Sequence, residues 1–476
     1  MNEKTDVLFM SAPIQFKDVE NFVPVGDEIS IPPIGIMYIA SYLNSKGYKC
    51  KILEIGLRKM SLKETIDNIR AINPRVVGIS ILTPSLITAV QLAKEIKKSL
   101  PNIIVSCGGI HVCVDPTFIQ RYPYFDFGVK GEGELIMEEI LQKLDNGEKI
   151  SGLYDGGYVK DLESLPFPDY NLIDFKVYGN PNDKVGKRHA TVSIMTSRGC
   201  PFKCSFCCKP ESRKYIRFRS AKNIADEIEK NYQISNGDYQ FLDDAMTLNK
   251  KNVIDLCKEI IRRKLKLSWM AMIRADNLDL ELALLMKKSG CREIFIGVES
   301  GDPRIRNEVI KKKVSDETIF EAIKIARIVG IRSNIFLMLG FPTEGVEEIE
   351  KTINYCFISK VDIMGIHLTI PFPGSELYEQ AIKDGIIPSN LIDLYISGEL
   401  GKNFSAWPKY VPKGMTLEYL ENARARALRR YYLSFAFISR LMFYYIRFPN
   451  RIKYDKTNFQ NALAILCSGK SVVQLS

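Results

Sequence analysis

No stretch of about 18 uninterrupted apolar residues occurs in this sequence, so no transmembrane helix is expected. The chain opens Met1-Asn-Glu-Lys-Thr-Asp6 and runs straight into a strand-like segment, so no secretory leader is expected either. Histidine is scarce, with three in 476 residues. Cysteine is more plentiful, but 11 is an odd number and most are scattered. That argues against a disulfide framework and for a reducing, cytoplasmic compartment. A broad basic face is also missing. Residues 402–476 carry 13 Lys/Arg against 3 Asp/Glu, while the rest has 53 of each sign, so the net charge of +10 belongs to the tail. Nucleic acid is therefore not an expected partner. What the chain has is 46% hydrophobic and 26% charged residues over a length that suits two or three folded domains.

Strand and helix patterns alternate twice. In residues 1–148, strands are expected at 6–10, 50–55, 76–81, 103–107 and 127–129. Helices are expected at 35–46, 62–72, 84–99 and 134–145. This rhythm predicts a doubly wound parallel sheet, a Rossmann-like α/β domain whose ligand lies beyond the carboxyl ends of the strands. The loops there are Ser80-Ile-Leu82-Thr83-Pro84, Gly108-Gly109-Ile-His111 and Gly131-Glu132-Gly-Glu134. No G-x-G-x-x-G follows the first strand, which disfavours a dinucleotide. Residues 149–188, rich in Gly, Asp, Tyr and Pro, read as a linker. Residues 189–400 then hold six strands, at 191–197, 239–242, 267–272, 293–298, 332–338 and 362–368, alternating with five helices. They predict a partial (β/α)6 barrel with its chemistry at the carboxyl-end loops. Residues 401–476 form a basic, aromatic, helical region.

The densest chemical signal follows the first barrel strand. Cys200-Pro-Phe-Lys-Cys204-Ser-Phe206-Cys207 places three thiols in eight residues. A structural zinc site needs four ligands, and adjacent Cys207 and Cys208 have difficulty facing one ion together. No histidine lies nearby. Three thiolates on a [4Fe–4S] cluster leave one iron open, so the site reads as reactive.

This spacing resembles the radical S-adenosylmethionine (SAM) superfamily. The resemblance implies that Cys200, Cys204 and Cys207 hold the cluster and that SAM chelates the open iron. One electron then splits SAM to methionine and a 5′-deoxyadenosyl radical. Phe206 sits where the family packs adenine. Phe241-Leu-Asp243-Asp244, Ile273-Arg274-Ala-Asp276, Gly297-Val-Glu299-Ser300-Gly301, Leu339-Gly340-Phe-Pro342 and Pro371-Phe-Pro-Gly-Ser375 look like its SAM-binding loops. Glu299 would bind the ribose or methionine end, and Asp243 and Asp244 the methionine ammonium or the substrate. Arg274 would pair with the methionine carboxylate; its alternative is an internal salt bridge with Asp276.

In this order, the first domain resembles the cobalamin-binding domain that precedes a radical SAM barrel. Pro32-Pro-Ile-Gly35, Ser80, Leu82, Thr83, Gly108, Gly109, His111, Gly131 and Glu132 are the residues implied. Small residues there let a flat corrin approach the backbone. Other cobalamin domains carry D-x-H-x-x-G, whose His ligates cobalt. Here the position after the second strand reads Glu54-Ile-Gly56-Leu-Arg-Lys59, so the cofactor is expected base-off, without that histidine. His111 after Gly-Gly fits a hydrogen-bonding loop residue better than a cobalt ligand.

In the tail, Arg424, Arg426, Arg429, Arg430, Arg440 and Arg447 interleave with eight aromatics between Tyr431 and Phe448. The favoured reading is helices that cap the barrel. The alternative is a peripheral contact with the inner membrane face or a pocket for an apolar or anionic substrate. The chain is thus identified as a member of the cobalamin-dependent radical SAM enzymes, anaerobic methyltransferases and magnesium-protoporphyrin ester cyclase-like proteins. Its expected reaction is methyl transfer from SAM through methylcobalamin to an unactivated carbon or a phosphinate phosphorus. Oxidative cyclisation, lipid carbon–carbon coupling and methylthiolation are the alternatives. A small-molecule, lipid or porphyrin-like substrate and an electron donor such as flavodoxin or ferredoxin are the implied partners.

Overall fold

The computed structural model describes residues 4–14, 16–18, 23–24, 31–175, 178, 191–208, 210–401 and 403–447. Strands Val7–Ser11 (β1), Cys50–Leu53 (β2), Val76–Ser80 (β3), Ile104–Gly108 (β4), Phe127–Lys130 (β5) and Gly152–Asp155 (β6) form one sheet. Its order is β2-β1-β3-β4-β5-β6 and every pairing is parallel. Val7, Leu8, Phe9 and Met10 are all buried, as an inner strand covered on both faces requires. Helices cover both faces. One of them, Leu62–Ile72, starts at a capping box between Ser61 and Glu64. The sheet runs one strand past the boundary expected at residue 148. Gly152, Gly156 and Gly157 hide the apolar period of β6, so it reads as linker in the sequence.

The second sheet is Val192–Ile194 (β7), Asp238–Phe241 (β8), Ser268–Ile273 (β9), Cys291–Glu299 (β10), Arg332–Leu339 (β11) and Ile363–Leu368 (β12). These six pair in sequential order, all parallel, and no pairing joins β7 to β12 among the described residues. This is the open, partial barrel expected. Helices clothe its outside with narrow apolar stripes. Lys250–Arg262 buries Val253, Leu256, Cys257 and Ile260, one face at helical spacing. The first strand is shorter than expected, because the chain kinks after Ile194 and Ser197–Arg198 pairs instead with Arg217–Phe218.

The two domains are pinned together. Arg198 reaches Glu132 at 3.2 Å and Glu134 at 2.8 Å, and Arg217 grips both oxygens of Glu132 at 2.8 and 2.9 Å. Tyr170, in the expected linker, is buried and donates its hydroxyl to the Ser193 carbonyl at 3.0 Å.

The basic stretch from Arg424 is divided between two helices, as the capping reading has it, Leu417–Tyr432 and Phe435–Arg447. The first caps the last strand, with the Tyr432 hydroxyl donating to the Met364 carbonyl at 2.7 Å. The second leaves Phe435, Met442, Phe443 and Ile446 exposed. No helix among the described residues is long and apolar enough to cross a membrane. His189 and the expected features from Phe448 onward lie outside the described residues.

Candidate active site

The cysteine loop leaves the barrel at Gly199, whose φ of +99° suits glycine and where a Cβ would collide with the Tyr215 carbonyl oxygen. Backbone bonds then fix the loop. Cys200 N–H donates to the Arg213 carbonyl, Ser205 N–H to that of Ile310 and Cys207 N–H to that of Cys204, each at 3.0 Å. Cys200, Cys204 and Cys207 all open into one cavity of about 830 Å³ at the carboxyl ends of the barrel strands. Cys208 does not line it. A Cβ on Gly374 would lie 3.4 Å from the Cys208 sulfur, and burial, then the neighbouring Cys207, pushes that thiol up to about 11. Three thiols from one tethered loop, facing a roomy cavity, are a donor set that fits an iron–sulfur cluster with one iron open.

The strands line this cavity at alternate positions, as parallel strands must: Phe295, Gly297 and Glu299 on β10, Phe336 and Met338 on β11, His367 on β12. Phe295 and Phe336 stack at 5.7 Å. Phe206 lines the cavity near the cysteines and lies 6.1 Å from Phe341. Glu299 has φ +69°, a left-handed backbone at the end of a strand, and is almost fully buried. Gly297 leaves room for its carboxylate, which Lys312 holds at 2.8 Å.

The other expected SAM-loop residues divide. Asp243 and Asp244 both line the cavity. Asp243 is buried and accepts from the Thr196 hydroxyl at 2.8 Å and the Ser197 hydroxyl at 2.6 Å. Burial pushes its carboxyl up, against those donors. Arg274 lines the cavity but forks onto Asp276 at 3.0 and 2.8 Å, the internal salt bridge named as its alternative. Its guanidinium also sits 3.7 Å from the centre of the Phe202 ring, a cation–π contact of about 1 kcal/mol. Ser300, Gly340 and Pro342 do not line the cavity. Ser300 is fully buried against Thr352, and the Gly340 N–H donates to Glu344 at 2.6 Å. Their loops turn away from the mouth to hold the outer helices.

A second cavity, of about 420 Å³, lies over the carboxyl ends of β1, β3, β4 and β5. Ser80, Leu82, Gly108, Gly109, Gly131 and Glu132 line it, as does Gly35 at the start of its helix. A Cβ on Gly109, at φ +97°, would lie 2.8 Å from the Ile81 carbonyl oxygen, and one on Gly131, at φ +83°, 2.6 Å from that of Gly157. This glycine cradle fits a flat corrin resting on backbone. Burial works against the Glu132 charge, but Arg217 and Arg198 hold its carboxyl below the usual range.

Thr83 and His111 are absent from that lining. The His111 ring is fully buried, 5.3 Å from Phe118, with Nδ1 3.0 Å from the Thr83 hydroxyl and Nε2 3.7 Å from Asp115. Burial, and then the Arg121 charge, against the pull of Asp115, brings it down to about 4. It is a neutral core histidine that knits the loop after β4. Residues 54–59 do not reach the cavity either, because β2 is the sheet edge. Buried Glu54 instead accepts the Asp174 N–H at 3.2 Å.

Sequence reasoning overlooked Arg213 and Leu242, which line both cavities together with Asp244. Arg213 pairs with Asp244 at 3.2 Å. Leu242 precedes the two aspartates and was visible in their motif. Arg213 and Lys312 lie in segments with no periodic or motif signal.

Residues 28–141 match the profile of the B12 binding domain, and residues 194–356 that of the Radical SAM superfamily. The uncharacterized methyltransferase PH0819 of Pyrococcus horikoshii is 30% identical over 424 residues, which cover 85% of this chain and 87% of that protein. The anaerobic magnesium-protoporphyrin IX monomethyl ester cyclase of Rubrivivax gelatinosus is 27% identical over 377 residues, 73% of this chain and 66% of the cyclase. Among solved structures, the radical SAM methyltransferase TsrM of Kitasatospora setae, with cobalamin and a [4Fe-4S] cluster bound, superposes with a TM-score of 0.63. It is 18% identical and the match covers 80% of this chain and 75% of TsrM, a likeness of fold.

Proposed function

Starting from a chain that belongs to the radical SAM superfamily and carries a B12-binding domain ahead of its radical SAM domain, we propose that it is a cobalamin-dependent methyltransferase. It acts on an unactivated carbon, or a phosphinate phosphorus, of a small molecule. Cys200, Cys204 and Cys207 hold the cluster, and Phe206, Asp244 and Glu299 surround SAM. The glycine cradle of residues 108–109 and 131 carries the corrin. When bound, these cofactors supply a radical that removes a substrate hydrogen and a methyl group to replace it.

The observation that carries this reading is the shared wall. Arg213, Leu242 and Asp244 line both cavities, so a substrate at that wall lies between the two cofactors. The chain's own groups do the rest. Lys312 neutralises Glu299 and fixes its direction, and the Arg274–Asp276 fork stiffens the rim beside Phe202. The phenylalanines exclude water from the radical. An electron donor of flavodoxin or ferredoxin type reduces the cluster. The exposed apolar face of Phe435–Arg447, attached to the basic tail, meets an anionic membrane surface.

The test uses anaerobically reconstituted full-length protein and methyl-labelled SAM. Methyl transfer yields S-adenosylhomocysteine, 5′-deoxyadenosine and label in the product. Deoxyadenosine without S-adenosylhomocysteine would sink this reading. It would favour oxidative ring closure, which the similarity to the cyclase supports as a second reading.

A further inference from the structure

The chain after residue 400 returns to the barrel mouth. The Trp407 indole N–H donates to the Pro371 carbonyl at 3.1 Å, and the Tyr410 N–H to that of Thr369 at 2.8 Å. A Cβ on Gly340 would lie 2.5 Å from the Tyr410 carbonyl oxygen and 3.2 Å from Leu420. Residues 407–424 therefore run along the carboxyl ends of β11 and β12. The helix Leu417–Tyr432 lays Leu420, Ala423 and Ala427 against the barrel. Arg424 sits between them in the sequence, on the packed side, and is only half exposed.

The charge there is unbalanced. Among the described residues, Arg424 makes no hydrogen bond or ion pair. Lys409 is half-buried and gives its ammonium to the Ser405 and Trp407 carbonyls, at 2.9 and 2.7 Å, not to a carboxylate. His367 faces into the cavity. Of the nearby acids, Glu299 is taken by Lys312, and exposed Glu421 acts on Lys409 and Arg424 by charge, with no ion pair to either among the described residues. Desolvation in the apolar cavity, and then the Arg424 charge, holds the solvent-accessible His367 ring below its ordinary range. A half-buried guanidinium with no acceptor among the described residues has given up part of its hydration without a partner there. Its planar fork fits an oxyanion.

We infer that Arg424, Lys409 and His367 form an oxyanion site at the barrel rim, which takes a carboxylate or phosphate carried by the substrate while the substrate's apolar body fills the phenylalanine-lined cavity. This deepens the proposed function and rests on it for the word substrate.

The experiment uses the reconstituted full-length holoenzyme and three probes, octanoate, octyl phosphate and octylamine, followed by the fluorescence of buried Trp407 and Trp269. Both anions should bind saturably and octylamine should not. The tighter anion names the group. Arg424→Gln should weaken both anions by about tenfold or more, and Arg424→Lys by less, since it keeps the charge but loses the fork. Affinity for S-adenosylhomocysteine should stay within about twofold, and circular dichroism should match the parent. Equal binding of octylamine, or anion affinity unmoved by Arg424→Gln, would overturn the inference. So would a parallel loss of S-adenosylhomocysteine affinity, which would assign the cation to SAM. Anion affinity is read without turnover, so its failure leaves the methyl-transfer test standing, and the reverse holds.

Discussion

Arg213 and Asp244 form a 3.2 Å ion pair in the wall that the two cavities share. Arg213 also accepts the Cys200 N–H on its carbonyl, so one residue touches the cysteine loop, the wall and both cavities. The pair is about half exposed, and such pairs contribute only about 0–1 kcal/mol to stability. Its significance is its position.

Arg213→Ala or Asp244→Ala should therefore leave the melting temperature within about 3 °C of the parent. The ratio of 5′-deoxyadenosine to S-adenosylhomocysteine should nevertheless change by at least about threefold, as the two half-reactions lose their common boundary. Product analysis by mass spectrometry measures it. An unchanged ratio in both variants would remove the wall from the reaction path.

Replacing Cys200, Cys204 or Cys207 singly by Ala should abolish the visible absorption of the reconstituted cluster and most of its iron. Cys208→Ala should keep both, because that sulfur faces Gly374 rather than the cavity. Loss of iron in Cys208→Ala, with retention in Cys207→Ala, would reverse the assignment.

Gly109→Ala meets both a left-handed φ of +97° and the Ile81 carbonyl at 2.8 Å. It should cost about 1–3 kcal/mol of stability and most cobalamin affinity. At Gly35, nothing lies within 4 Å of an added Cβ, so Gly35→Ala should fold normally and lose cobalamin affinity only through crowding of the cavity. Equilibrium dialysis with hydroxocobalamin, beside thermal melts, separates the two effects.

His111 is buried neutral, its folded pKa depressed to about 4 from an ordinary 6.5. The unfolded chain binds the extra proton first. The histidine's contribution is thus complete above pH about 6.5 and is lost as the pH falls toward 4, at most about 3 kcal/mol. Urea midpoints across that range should fall less steeply for His111→Gln. Parallel curves would show that another group sets the acid limit.

Phe435→Glu combined with Ile446→Glu should abolish flotation of the protein with phosphatidylglycerol vesicles and leave cofactor content unchanged. These side chains are 85% and 73% exposed on one helix face. Flotation that survives the pair would assign that face to another contact.

Both parallel sheets were legible because their inner strands are short apolar runs bracketed by helices of regular period. The helices at Leu62–Ile72 and Glu134–Asp145 begin and end where the pattern says. The cysteine loop was legible because three ligands are adjacent in the chain. β6 was not, since a glycine-flanked edge strand carries little apolar signal. His111 looked like a site residue because Gly108-Gly109 does line a cavity. The single turn of helix that follows, Ile110–Val114, buries it instead. Arg213, Lys312 and Arg424 gain their meaning from chain segments far apart in sequence, which no local pattern reports.

Glu132 lines the second cavity, yet Arg198 and Arg217, which orient it, come from beyond the linker. During synthesis the amino-terminal sheet leaves the ribosome before those arginines, with the Glu132 carboxylate held by the Val159 N–H at 2.7 Å. The second cavity is thus completed late, when the barrel's first turns bring Arg198 and Arg217 onto Glu132.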